Sequence, residues 1–220
     1  MMKPAYFTRD TIQQTARTLL QELGKGQRLR TRELIPEKAG LLVTDMQRYF
    51  LEPESHAFLP AAPAIIPGVR ELVSLFKAAG RPVVFTRHLN TSEDAGMMGK
   101  WWQHSIRRES PFSELYPELD TTGALILEKT QYDAFHQTRL QELLELQGVR
   151  QLVVTGVMTH LCCETTARAA FVRGFEPFFT VDGTATVNED FHKASLRSLG
   201  HGFASLVTVE NVVAILEGER

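Results

Sequence analysis

The run LVVTGVMTHLCCETTARAA, from Leu152 to Ala170, decides the fold. With Gln151 in front it begins as an apolar strand ending at Thr155, makes a turn at Gly156, and opens a helix on a pair of cysteines. An all-apolar strand belongs inside a sheet covered on both faces. A helix that starts directly after it puts Cys162 beyond the strand's carboxyl end, where open α/β sheets bind their ligands. There a thiol meets unpaired backbone N–H groups and the positive end of the helix dipole. Both favour the thiolate, so the sequence predicts a depressed pKa for Cys162. The same N–H groups can hold the oxyanion formed when a carbonyl is attacked. A free cysteine is otherwise a small buried hydrophobe, the role expected of Cys163.

Outward from this run, short apolar stretches alternate with amphipathic ones, which predicts an α/β fold with a mostly parallel, six-stranded sheet between helical layers. The expected strands are Ala39–Thr44, Pro82–Thr86, Ala124–Leu127, Gln151–Thr155, Pro177–Val181 and Phe203–Val207. The expected helices are Gly68–Ala79, Leu140–Leu146, Cys163–Arg173, Glu189–Leu199 and Glu210–Leu216. Residues 1–37 read as an N-terminal helical arm, with Ile12, Ala16, Leu19, Leu20 and Leu23 on one side of a helix over 8–23. That stripe should pack on the body or on a second subunit. Residues 38–220 form the main domain, with a long insert at 90–120 that holds Trp101 and Trp102. Inserts of this length at strand ends are often lids or binding loops.

Composition narrows the function classes. The chain has 220 residues, 43% of them apolar, enough for one substantial core. A net charge of −2 without long runs gives no nucleic-acid footprint. No stretch approaches the roughly 20 apolar residues of a membrane span, and the N-terminus lacks a secretory h-region. The two cysteines are adjacent, a spacing that bridges only with strain, and no CxxC or Cys/His cluster suggests zinc. A reduced, cytoplasmic enzyme acting on a small molecule is the expectation.

Three residues stand at the ends of strands where chemistry is expected: Asp45 after AGLLVT, Lys129 after ALILE and Cys162 after QLVVTG. Together they offer a base, a cation and a nucleophile. The motifs LLVTDMQRYF, EKTQYDAF and VVTGVMTHLCCETTARAAF, with TVDGTAT following, resemble the isochorismatase-like hydrolase superfamily in order and spacing from about Lys38 to Val212. That family includes isochorismatases, nicotinamidases and N-carbamoylsarcosine amidohydrolase-type enzymes. The resemblance implies a three-layer α/β/α, Rossmann-like fold, a triad of Asp45, Lys129 and Cys162, and a cis Val157–Met158 peptide. It also implies an oxyanion hole from the N–H groups of Met158 and Cys162, no cofactor, and a homodimer or homotetramer.

Within the superfamily the local wording of MQRYF, QYDAF, His160 and AFVRGFEPFF is closest to the pyruvate-releasing isochorismatases. Those enzymes use the aspartate as general acid and typically have glycine where Cys162 stands, tyrosine where Met158 stands and a glutamine near His88. The departures favour a cysteine hydrolase that cleaves a C–N bond in a small amide, ureido or carbamoyl compound. Isochorismate hydrolysis is the alternative, and a non-catalytic binding member of the fold is the alternative of another class. The metal site of nicotinamidases fits poorly, because the loop after the first strand offers only Glu54, Ser55 and His56, with His88 beyond the second strand; no metal is expected. Substrate-pocket candidates are Phe50, Arg87, His88, Trp101, Tyr132, Phe135 and His160, with His56, Phe58 and Trp102 near them. Arg87 and His88 are the expected partners of a substrate carboxylate.

Overall fold

The computed structural model describes residues 5–26 and 28–218. Six strands form one sheet: β1 (Ala39–Thr44), β2 (Val83–His88), β3 (Leu125–Lys129), β4 (Gln151–Val157), β5 (Glu176–Ala185) and β6 (Ser205–Val207). Their order is β3-β2-β1-β4-β5-β6, and every neighbouring pair runs parallel. β1 and β4 are buried at every residue, as their unbroken apolar sequences require. β3, on an edge, alternates instead, and its Ile126 is exposed. The chain winds outward from β1 to β3, returns to the centre at β4, and winds outward again to β6. Loops leaving β1 and β4 therefore diverge and open a crevice at the strands' carboxyl ends.

The helices are α1 (Ile12–Gly26), α2 (Arg48–Leu51), α3 (Ala62–Ala78), α4 (Met97–Trp101), α5 (Leu140–Leu146), α6 (Glu164–Val172), α7 (Glu189–Gly202) and α8 (Val209–Leu216). They cover both faces of the sheet, with α3 against α8 and α6 against α7. Helix α3 begins at Ala62, well before the expected Gly68. Pro63 lies in the first turn, where its missing N–H costs nothing, and burial of Ala64, Ile65 and Ile66 carries the helix through Pro67. On the arm, Ile12, Ala16, Leu19 and Leu23 of α1 join the main core. Arg17 grips Glu210 of α8 through bonds of 2.7 and 3.0 Å. The apolar stripe of the arm thus packs on its own body.

Gly156 is not a turn. β4 continues to Val157, and its pairing with β5 slips between Val154 and Gly156. Gly156 has φ +107°, and a Cβ there would lie 2.1 Å from the carbonyl oxygen of Thr44 in β1. The two central strands touch backbone to backbone where the crevice opens, and any side chain would push them apart. Gly156→Ala is accordingly expected to cost at least about 2 kcal/mol through combined strain and overpacking. Urea titration of both proteins checks this; an unchanged midpoint would refute the close-contact argument.

Candidate active site

Strands β1, β2, β3 and β4 each deliver a group to the crevice. Asp45 follows β1 directly and takes the left-handed conformation, φ +48°, which is rare for a residue with a side chain. Thr86 of β2 holds it there: its hydroxyl donates to Asp45 Oδ1 at 2.6 Å and accepts the Asp45 N–H at 3.0 Å. Asp45 Oδ2 meets Lys129 Nζ, at the end of β3, at 2.7 Å, with both side chains fully buried. Cys162 stands on a wide turn, Thr159–Cys163, between β4 and α6. Met158 O closes that turn by accepting the N–H groups of Leu161 (3.0 Å) and Cys163 (3.2 Å). The peptide between Val157 and Met158 is cis.

Lys129 is the centre of the cluster. Its Nζ lies 3.3 Å from Cys162 Sγ, 3.2 Å from His88 Nδ1 and 3.0 Å from Gln131 O, besides Asp45. Cys162, His88 and Gln131 take up the three donors of the ammonium, and Asp45 Oδ2 pairs with it as an ion. His88 Nε2 lies 2.8 Å from Asn90 Oδ1, so a neutral ring with its proton on Nε2 fits both neighbours. Burial, and then Lys129, lower the His88 pKa to about 4. Gln47 clamps the main chain at the same residue, accepting His88 N–H at 2.8 Å and donating to its carbonyl at 3.2 Å.

Charge states follow from this packing. Burial opposes ionisation of Asp45 most strongly, but the Lys129 ammonium together with His88 and the contact with Cys162 outweighs it and holds the carboxyl below its ordinary pKa. Burial likewise opposes the charge on Lys129, and Asp45 and Cys162 together reverse the direction, raising its pKa. Cys162 departs from the sequence expectation: burial pushes its thiol up to about 12, Asp45 adds to the rise, and Lys129 opposes it. The helix terminus that was expected to lower the pKa does not prevail over a fully enclosed sulfur beside a carboxylate. Cys163 points away, with Sγ 3.9 Å from Thr155 O and no exposed surface.

Asp45, His88 and Cys162 bring potential metal-ligand atoms within 4.8 Å of one another. Lys129 Nζ, in contact with all three, already occupies the cationic centre of that set, so these donors do not suit a resident divalent ion. His56, the other candidate, instead pairs with Tyr49, its Nε2 2.9 Å from the phenol oxygen.

The cluster opens into a cavity of about 620 Å³. Of the expected pocket residues, Phe50, His88, Trp101, Tyr132 and His160 line it, together with His56 and Trp102. Arg87 does not: neighbours on a strand face opposite ways, and while His88 turns to the site, Arg87 binds Glu114 at 2.9 Å and the Ser113 carbonyl. Phe135 does not either; it stacks on Phe175 in the core under the guanidinium of Arg173. Phe58 is absent from the wall as well. The insert supplies one side through Met98, His104 and Ile106, and Trp102 Nε1 donates to the Tyr132 hydroxyl at 2.7 Å. Tyr49, Asn90, His104 and Phe191 went unrecognised in the sequence. Tyr49 had a signal, its place beside Phe50 in MQRYF, whereas Phe191 reaches the wall from α7, far along the chain from every motif.

A doubly wound α/β sheet with a buried Asp–Lys–Cys cluster at its switch point defines a class of hydrolases. The sequence profile of the isochorismatase domain matches residues 39–211, and the chain belongs to the isochorismatase family. Nicotinamidase 3 of Arabidopsis thaliana is 43% identical over 185 residues, covering 82% of this chain and 89% of that protein. Enterobactin synthase component B of Escherichia coli is 30% identical, covering 81% of this chain and 63% of its own length. A crystal structure of a cysteine hydrolase from Pseudomonas syringae superposes with a TM-score of 0.84 at 24% identity, covering 88% and 99% of the two chains. The likeness to a nicotinamidase runs against the sequence expectation, which rested on the few loop positions around His56.

Two outcomes are expected from these charge states. Alkylation of Cys162 by iodoacetamide should rise about tenfold per pH unit from pH 7 to 9 without a plateau, as for a high-pKa thiol, with Cys163 unlabelled. Peptide mapping reads both, and a plateau near neutrality would refute the assignment. His88 and the buried His192 have folded pKa values of about 4 and about 3, against an ordinary 6.5. A depressed folded pKa gives stability that is present above 6.5 and lost as pH falls toward 4. Urea midpoints should therefore drop between pH 7 and 4.5, and His192→Gln should flatten the drop.

Proposed function

We propose that this hydrolase cleaves the C–N bond of a small, uncharged, planar carboxamide through a thioester on Cys162. The composition of the cavity wall carries the reading. It holds six aromatic side chains, Tyr49, Phe50, Trp101, Trp102, Tyr132 and Phe191, and none of its lining residues is Asp, Glu, Lys or Arg. Flat rings stack well on such walls. A carbamoyl amino acid or isochorismate brings carboxylates, which call for a cation, and Lys129 is already paired with Asp45. The name of the Arabidopsis relative makes nicotinamide the first compound to test.

In this reading Asp45 takes the Cys162 proton as sulfur attacks the amide carbon, and returns it to the departing nitrogen as the C–N bond breaks. Amine leaves and a thioester remains. Asp45 then takes a proton from water as it adds to the thioester; the carboxylic acid departs and the thiol is restored. Lys129 keeps Asp45 ionised and offsets negative charge on sulfur. The N–H groups of Met158 and Cys162 are the donors assigned to the oxyanion. Isochorismatase chemistry needs a protonated Asp45, and the lowered pKa of that carboxyl opposes it.

Nicotinamide hydrolysis is expected in the wild type, and a loss of at least about 1,000-fold in Cys162→Ala and Asp45→Asn. Ammonia and nicotinate release are measured beside pyruvate release from isochorismate. Pyruvate formation that survives Cys162→Ala would overturn the proposal. Activity should also persist after exhaustive chelation, because the Lys129 ammonium fills the centre of the ligand set; activity lost on chelation and restored by zinc would contradict this.

A further inference from the structure

Behind the turn that carries Cys162, six residues from three distant parts of the sequence form one contact chain. His192 of α7 is fully buried, with Nδ1 3.0 Å from Thr159 Oγ1 and Nε2 3.1 Å from the carbonyl of Val181. The carbonyl can only accept, so His192 Nε2 carries the proton and Nδ1 accepts from Thr159. Thr159 is the first residue of the nucleophile turn. Against the His192 ring lie Tyr6 and Phe7, at centroid distances of 5.3 and 5.2 Å. The Tyr6 hydroxyl accepts the Thr186 N–H at 2.9 Å and also meets the Thr159 side chain. Thr186 Oγ1 in turn lies 2.5 Å from Nδ1 of His160, a cavity residue within the same turn.

Tyr6 and Phe7 precede the arm helix and fall outside residues 39–211, the span matched to the family domain. The domain's own strands supply Asp45, Lys129 and Cys162, yet the rear of the nucleophile turn is covered by this added segment. Phe7 is 1% exposed, which is more burial than a loose N-terminal extension achieves.

We propose that Tyr6 is a positioning residue: the N-terminal segment locks the Thr159–Cys163 turn from behind, through His192 and Thr159 on one side and Thr186 and His160 on the other. Its hydroxyl touches no substrate and acts only on where the turn holds Cys162 relative to Asp45 and Lys129. The kinetic part of this inference rests on the amidase reading; the structural part does not.

The test compares the full-length wild type with Tyr6→Phe, which removes one oxygen and keeps the ring, and with Arg17→Ala, which loosens the arm at a surface remote from the turn. Hydrogen exchange of residues 158–163 is followed by mass spectrometry, and kcat and KM are measured on nicotinamide. Tyr6→Phe is expected to speed exchange in that turn at least fivefold and to lower kcat about tenfold, with KM within twofold. Arg17→Ala is expected to change neither. Wild-type exchange in Tyr6→Phe, or an equal gain in Arg17→Ala, would overturn the proposal; so would a KM effect without a kcat effect. If the wild type does not hydrolyse nicotinamide, the substrate reading fails while the exchange comparison still decides the role of Tyr6.

Discussion

The ion pair between Lys129 and Asp45 is the constraint around which the sheet's carboxyl ends are organised. Two opposite charges with fully buried side chains are costly to desolvate, and their attraction offsets the cost only where every remaining donor and acceptor is met. Here Thr86 meets Asp45, and His88, Gln131 and Cys162 meet Lys129, from β2, the chain leaving β3 and the turn after β4. Losing one partner strands the other charge in the interior, typically at 3–5 kcal/mol. The cluster thus ties β1, β2 and β3 together at one end of the sheet, and the close contact of Gly156 with Thr44 brings β4 and its thiol to the same place.

That setting explains how a thiol and a carboxylate coexist side by side in the interior. The sulfur is buried beside an ionised carboxylate, and both raise the Cys162 pKa against the opposing pull of Lys129, so the neutral thiol is the favoured state. On the proposed amidase reading, charge on sulfur is created only as a carbonyl carbon arrives to accept it. Alkylating agents and oxidants act on thiolates, so a thiol with a raised pKa is expected to react slowly with them near neutral pH.

The three groups of the cluster were legible in the sequence because each ends an apolar run, and a run of that kind makes its last polar residue conspicuous. What lay beyond them depended on geometry that spacing does not carry. Arg87 and His88 looked equivalent as neighbours at a strand end, but the pleat sends them to opposite faces. Phe135 sits in a motif beside Tyr132, yet one ring faces the cavity and the other the core. The Cys162 thiol was assigned the wrong direction of shift because a helix terminus is visible in sequence and burial is not. Gly156 read as a turn and the helix ending at Ala79 as starting at Gly68, whereas β4 runs through the glycine and α3 starts at Ala62, since tertiary packing outweighed local propensity. The arm's apolar stripe was visible; the insertion of Phe7 behind the nucleophile turn was not, because nothing in residues 5–8 marks a partner more than 180 positions away.

The chain has two tryptophans, and both stand in the wall of the same cavity. One is mostly exposed at its rim, 73%, and the other is hydrogen-bonded to Tyr132. Indole emission from this protein therefore comes from the entrance to one chamber, with no background from the core. A ring that slides between these walls changes the surroundings of every fluorophore of that kind in the molecule, so entry of a compound can be followed by light alone, before any bond is broken.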